Sequence, residues 1–401
     1  MSADADAALY LKSPRAVRER CEAIYQLGLA GKLRSWSIDE TRLDEIAGRV
    51  ARTTRATYPD IGAIPGHSRW RHFAAGGVDR VRELDERLAA LSEDERLAAR
   101  FDLVITSVLL DAGAGDRWRY RDKTGGKTYS RSEGIAVASY DLFVAGAFSD
   151  GGGRSPLRAD AAALERTTGA SLARGLQVTG DNPMLGVEGR AALLQRLGAV
   201  ARGAPGWGAR LGGFGAQLQR AAKGGELRAS DVLVAVLDAF GPIWPGRELC
   251  AGQNLGDVWT HSIVGRVPFH KLSQWLTYSL FEPLQWAGLS IVAPGDLTGL
   301  AEYRNGGLFV DGGALVPRHA GVLRDEHEVS SDVVIEWRAL TVALLDRTAE
   351  RVQRLLGLSA ADLPLAKVLE GGTWRAGREL AAERRADGGP PLRVRSDGTV
   401  F

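Results

Sequence analysis

Three stretches of the sequence hold ionisable residues among apolar or glycine-rich neighbours, where a charge is expensive to bury unless it is paired, hydrogen-bonded or put to use. In Asp296–Leu315 (DLTGLAEYRNGGLFVDGGAL), Glu302 and Asp311 lie in an apolar run whose glycines at 299, 306, 307, 312 and 313 let backbone approach closely or take φ > 0. A carboxylate there can stabilise a cationic transition state, although Arg304 could equally pair with Glu302. In Gly256–Gln274 (GDVWTHSIVGRVPFHKLSQ), Asp257, His261, Arg266, His270 and Lys271 stand among apolar residues. Lys271 opens an amphipathic helix, the end at which the helix dipole disfavours a cation. A lysine in that position suits a phosphate or carboxylate ligand; one whose stem merely covers apolar surface reads the same way. Glu336 and Arg338 fall in VVIEWRALTVALL, apolar on most of its faces, and form either a buried network or a substrate contact.

Two stretches nearer the N-terminus have similar character. IPGHSRWRHF (Ile64–Phe73) concentrates two histidines, Arg69, Arg71 and two aromatic residues, a composition suited to an anion carrying a flat group. A surface loop with arginines over tryptophan gives the same string. VLLDAGAGDRWRY ends an apolar helix with Asp111, followed by glycines, Asp116 and Trp118. Asp111 reads as a helix-end hydrogen-bond acceptor or as a second catalytic carboxylate. Asp181-Asn182-Pro183 reads as a turn.

The elements that must position these residues are mainly helices. Ser13-Pro14 is a cap followed by proline at the first helical position, and Val17, Cys21, Ile24 and Tyr25 recur at helical spacing. Asp39 begins another helix, with Leu43, Ile46 and Val50 on one face. Further helical patterns cover 81–91, 93–110, 157–176, 190–197, 229–240, 269–287 and 333–356. The last ten residues, LRVRSDGTVF, alternate around Asp397-Gly398 and predict a small hairpin. Ser149–Pro156 (SDGGGRSP) is the best lobe boundary, dividing an N-terminal helical lobe, 1–150, from a C-terminal lobe, 151–401, within one compact unit.

Composition narrows the function classes. The 401 residues exceed the ~250–300 at which one core usually stops growing, which is why two lobes are expected. Lys and Arg total 51 against 49 Asp and Glu, so the chain lacks the basic excess of a general nucleic-acid binder. Cys21 and Cys250, the two cysteines, make neither a disulfide framework nor a CxxC pair. No HExxH or similar ligand spacing appears, and no metal or other cofactor is expected. The start, MSADADAALY, is acidic, and no run of eighteen apolar residues exists, so a cytoplasmic protein without a membrane partner is expected.

GHSRWRHF, LLDAGAGDRWRY, GDNPMLGVEGR, NLGDVW, VPFHKLSQWLTYSLFEPL, LTGLAEYRNGGLFVDGG, IEWRALTVALLD and SDGTVF resemble, in order, the family of formerly unknown function named for uracil-catabolism proteins of the URC pathway. The likeness runs from about Lys12 to Phe401. It implies a pathway in which uracil is degraded through a ribosylated, ring-opened urea, so that some member must cut the bond between ribose and the urea nitrogen. More distantly, the C-terminal half resembles the queuosine-salvage N-glycosidases, whose fold is that of helix-hairpin-helix DNA glycosylases. Val267, His270, Lys271 and Gln274 match that family's V-x-x-Y-K-x-x-Q helix start, apart from His270 in place of tyrosine. Ala301, Glu302, Tyr303 and Arg304 fall on its A-D-Y-R segment, with Glu302 in place of the catalytic Asp, and Glu336 and Arg338 echo its E-x-R helix.

The resemblance therefore implies a mostly α, two-lobed, helix-hairpin-helix glycosylase-like fold with minor β. It also implies an N-ribohydrolase acting on a small nucleoside or nucleotide. Glu302 is the first choice for the catalytic carboxylate and Asp311 its rival, because a glycine-bearing turn followed by V-D also resembles the DNA-glycosylase catalytic region. Lys271 and Arg304, with Arg69 or Arg71, are expected to hold a 5-phosphate or the ribose hydroxyls. Asp257, His270, Tyr303, Glu336, Arg338, Asp111 and Trp118 complete the expected pocket. Two other readings stay open: an amidohydrolase acting on the ring-opened pyrimidine, and a non-catalytic nucleotide-binding pathway protein.

Overall fold

The structure, a computed structural model, describes residues 3–111, 113–115, 117–151 and 155–395. Local sequence accounts for the long helices. Helix α1 (Pro14–Leu29) starts where the Ser13 hydroxyl accepts the Ala16 N–H at 3.1 Å, with Pro14 in the first turn. Helix α2 (Leu43–Thr57) buries Leu43, Ile46, Ala47 and Val50 along one stripe. A single turn, α3 (Arg69–Phe73), precedes α4 (Glu93–Leu109) and α5 (Arg131–Val144). Then come α6 (Val187–Gly203), α7 (Ala229–Phe240), α8 (Lys271–Trp286), α9 (Tyr303–Asp311), α10 (Asp332–Leu356) and α11 (Trp374–Arg384).

Helix α10 is the axis of the fold. Every residue from Val334 to Leu345 is buried, because α1, α2 and α9 pack around it. It ends where Gly357 takes φ 72°, the left-handed conformation that closes a helix C-terminus. Helix α8 packs on α3, α4 and α7, and α9 lies between α10 and α11. Close approach at α9 depends on glycine: a Cβ on Gly306 would meet Trp337 Cε2 at 2.6 Å. The buried apolar cluster crosses residues 149–156, since α4 from one side packs on α8 from the other.

The fold is mostly α, and its strands occur as small pairs. Trp36–Ile38 pairs antiparallel with Leu315–Pro317, and Val258–His261 with Gly265–Pro268. The second pair is a hairpin that leads directly into α8, and no strand is expected there from the sequence. The apolar stretch 157–176 is broken into helices Ala161–Glu165 and Gly169–Gly175. Thr168 caps the second through a reciprocal bond with Ser171. At the C-terminus, Arg393–Arg395 is a strand, but it pairs in parallel with Glu326–Glu328. The expected hairpin turn at Asp397-Gly398 lies outside the described residues. No helix among the described residues is long and apolar enough to cross a membrane.

Candidate active site

The Val258–Pro268 hairpin and α10 anchor the start of α8. Arg338, almost fully buried on α10, makes two bonds to Asp257, Nη1 to Oδ1 at 2.8 Å and Nη2 to Oδ2 at 2.6 Å. Asp257 also accepts Trp259 Nε1–H at 2.7 Å and the backbone N–H of Lys271 at 3.0 Å. The adjacent cation and these donors hold its carboxyl well below the usual range, against the effect of burial. Asp257 thus supplies the negative charge that the N-terminus of α8 favours, and the backbone of Lys271 is fixed by it. His270, in the left-handed conformation at φ 49°, donates Nε2–H to Leu11 O at 2.8 Å and turns the chain into the helix.

Glu302 caps the next helix. Its carboxylate accepts Arg304 N–H at 2.7 Å and Asn305 N–H at 2.6 Å, and its position beside buried groups raises its pKa to about 7. Burial is the largest cause; Lys271, the Asn305 N–H and His67 act in the opposite sense, and the like charge of Asp111 adds to the rise. Lys271 is pushed the other way: burial lowers its pKa, while Glu302 and then Asp111 support its charge. Glu302, Lys271, Asp111 and His67 therefore share one electrostatic environment, although they come from four separate parts of the chain. Arg304 points elsewhere, donating to Gly388 O at 2.7 Å. Tyr303 stacks obliquely near Trp337, their ring centroids 6.1 Å apart, and burial raises its hydroxyl pKa.

The first-lobe loop forms the neighbouring wall. Arg69 is fully buried and donates to Asp111 Oδ2 at 2.7 Å, to Ser107 Oγ at 2.7 Å and to Ser132 O at 3.2 Å. Its Nη1 also lies 3.3 Å from His72 Nδ1. A guanidinium only donates, so Nδ1 must accept and the ring proton belongs on Nε2. Burial and Arg69 lower the His72 pKa to about 4, keeping the ring neutral. His67 Nδ1 lies 2.8 Å from Glu370 Oε2, and Tyr58 donates to the other oxygen at 2.9 Å. His67 and His72 both approach Trp275, with centroids 4.5 and 5.7 Å from it. A cavity of about 740 Å³ opens here, lined by His67, His72, Tyr129, Glu133, Glu370 and Trp374 among others.

Several expected site residues have other partners. Asp311, at the far end of α9, makes two bonds to Arg385, at 2.7 and 2.5 Å. It lies nine positions from Glu302, about 13 Å along the axis, so the structure does not bring this rival into the group. Glu336 turns to the other side of α10 and accepts the N–H groups of Arg34 and Ser35, at 3.3 and 3.1 Å, with His261 Nε2 at 3.5 Å. Trp118 is buried, donates Nε1–H to Leu176 O at 2.9 Å and fills the space beside Gly134. Arg71 lines the cavity but is ion-paired with Glu282. His67, His72 and Glu370 were not singled out individually from the sequence; the signal was two histidines in IPGHSRWRHF and a glutamate ahead of two glycines in LEGGTW. Among the described residues, no three His, Cys, Asp or Glu side chains gather as a metal-binding group.

A family model described as "Protein of unknown function (DUF1688)" matches residues 10–401. The chain is 40% identical to a protein of Schizosaccharomyces pombe called "Protein urg3", with 98% of each chain covered. It is 35% identical to "Uracil catabolism protein 4" of Lachancea kluyveri, again with 98% of each covered.

Proposed function

We propose that this chain, which belongs to the DUF1688 family, serves uracil catabolism by hydrolysing the N-glycosidic bond of a ribosylurea-type nucleoside or its 5-phosphate. The pathway part of this reading is supported by the name of the Lachancea kluyveri relative. The reaction is supported chiefly by one arrangement: Glu302 caps its helix through two backbone N–H bonds in a buried position near Lys271 and His67, where burial pushes its carboxyl up to about 7. A group poised near neutrality is suited to acid–base and charge-stabilising work.

When the ribosyl C1′–N bond breaks, its electron pair goes to nitrogen and positive charge develops on the sugar ring. A carboxylate held beneath that ring stabilises the charge and orients the water whose oxygen adds to C1′, the logic of glycoside hydrolysis. Glu302 takes that role, fixed by two backbone N–H groups so that it need not reorganise as charge develops. Lys271 supplies the cation for a 5-phosphate or a ribose hydroxyl, providing binding energy remote from the reacting bond.

The test is direct. Purified protein is incubated with ribosylurea and with its 5-phosphate, and urea and free sugar are measured. Release of both products in equal amounts is expected from at least one substrate. Binding without turnover would favour a nucleotide-binding pathway protein. Consumption of the ring-opened pyrimidine with no sugar release would favour an amidohydrolase.

A further inference from the structure

His67 and Glu370 are arranged as an oriented acid–base pair. The His67 backbone N–H is tied to Ala366 O at 3.0 Å, and its ring Nδ1 is held 2.8 Å from Glu370. Glu370 lies in a π-helical turn, Leu369–Thr373, a rare conformation concentrated at functional sites. That turn fits because Gly371 and Gly372 lie against α2: a Cβ on Gly372 would meet Val50 Cγ1 at 2.6 Å. Both Glu370 oxygens are engaged, by His67 and Tyr58; burial pushes the carboxyl up, but His67, with His72 and Tyr58, holds it below its ordinary range. His67 Nε2 has no protein partner among the described residues, and the ring lines the cavity. His72 on α3 and Glu302 at the start of α9 interact electrostatically with the ring, and Arg71, Glu133, Arg375, Arg378 and Glu379 line the same cavity.

We propose that His67, oriented by Glu370, is the general acid that protonates the departing ureido nitrogen, a proposal that rests on the N-glycosidase reading above. An amide-type nitrogen is too basic to leave as an anion, so the reaction needs a proton donor on the leaving-group side as well as a carboxylate under the sugar. The C1′–N bond breaks with its electron pair on nitrogen, and the Nε2 proton of a His67 imidazolium joins that nitrogen, giving neutral urea. Water oxygen bonds to C1′, and its surplus proton passes to the Glu302 carboxylate. Return of that proton through solvent to the imidazole restores both groups. Glu370 holds the ring and compensates its charge; it is a positioning residue.

The experiment compares full-length wild type, His67→Gln and Glu370→Gln on ribosylurea and on 4-nitrophenyl riboside, whose phenolate leaves without a proton. His67→Gln should lose about 10²–10⁴-fold in kcat/KM on ribosylurea, yet stay within a few-fold of wild type on the nitrophenyl substrate. On ribosylurea alone, the descending alkaline limb of the wild-type pH–rate profile should vanish in His67→Gln. Glu370→Gln should show a smaller loss with the same leaving-group bias, and it carries the test if circular dichroism shows that His67→Gln does not fold. Equal losses on the two substrates, or an unchanged alkaline limb, would overturn the assignment while leaving the N-glycosidase reading intact. A wild type that releases sugar from neither ribosylurea nor its 5-phosphate overturns that reading, and this one with it; if only the 5-phosphate is cleaved, the comparison is made on it and on 4-nitrophenyl riboside 5-phosphate.

Discussion

Glu302 does two things at once, and they pull its proton in opposite directions. As a helix cap it accepts two N–H bonds that favour the ionised form, but burial prevails and raises the carboxyl from 4.5 to about 7. Because the folded value lies above the unfolded one, the stabilising contribution is fully present below about pH 4.5. It is lost as pH rises through about 7. Glu302→Gln cannot ionise, so its stability relative to wild type should improve between pH 4.5 and pH 8 when urea unfolding is measured at both. A pH-independent difference would mean that the carboxyl is not strained as described. In kinetics the same substitution removes the charge needed only in the transition state. It should lower kcat by on the order of 10²–10³ while leaving substrate binding within a few-fold. Asp311→Asn is the paired control. It breaks the bonds to Arg385 and should reduce stability, with turnover close to normal. Collapse of turnover at Asp311 with normal turnover at Glu302 would reverse the two assignments.

At the scale of elements, the site depends on how α8, α9 and α10 are locked together. Arg338 on α10 neutralises Asp257, and Asp257 caps the backbone of Lys271 on α8, so one buried ion pair sets the position of the putting-in-place cation at the next helix. Removing one member of such a pair leaves the other charge buried and uncompensated, which typically costs ~3–5 kcal/mol. Arg338→Met should therefore destabilise the protein by about that amount in urea unfolding. It should also raise KM for the phosphorylated substrate, because the first turn of α8 loses its anchor. A loss below about 1 kcal/mol, the range of an exposed pair, would show that Asp257 finds compensation elsewhere. The three-residue spacing of helical surfaces predicts α8 and α10 themselves. Their joint by Asp257 involves a hairpin, Val258–Pro268, hidden in the sequence because its strands are only four residues long.

The whole molecule unites what the glycine-rich stretch at 149–156 suggests dividing. Helix α4 packs on α8, α1 and α2 pack on α10, and Trp36–Ile38 pairs with Leu315–Pro317. Structure on either side thus stabilises the other, and separate melting of two lobes would expose apolar surface from both. We expect one cooperative urea transition despite the 401-residue length. Tryptophan fluorescence, from buried Trp36, Trp70 and Trp118 on one side and Trp207 and Trp337 on the other, should coincide with far-ultraviolet circular dichroism. Two resolved transitions would show that the halves are independently stable. The site draws on the same arrangement, since His67 and Asp111 come from one side of the boundary and Lys271 and Glu302 from the other.

The sequence by itself determined what depends on neighbours a few residues away. Helical spacing gives the long helices, Ser13-Pro14 gives the start of α1, and charged residues in apolar or glycine-rich runs mark Lys271, Glu302 and Asp257. Tertiary structure decided the roles of those charges, because a partner chosen tens to hundreds of residues away leaves no local periodicity. Asp311 is assigned to Arg385, Glu336 to the backbone at Arg34 and Ser35, and His67 to Glu370 only when the chain is folded. The raised carboxyl of Glu302 has the same origin. Its own segment supplies the two N–H donors, but burial and the nearby Lys271, His67 and Asp111 come from the packing of distant elements, and in a poorly solvated site those terms dominate.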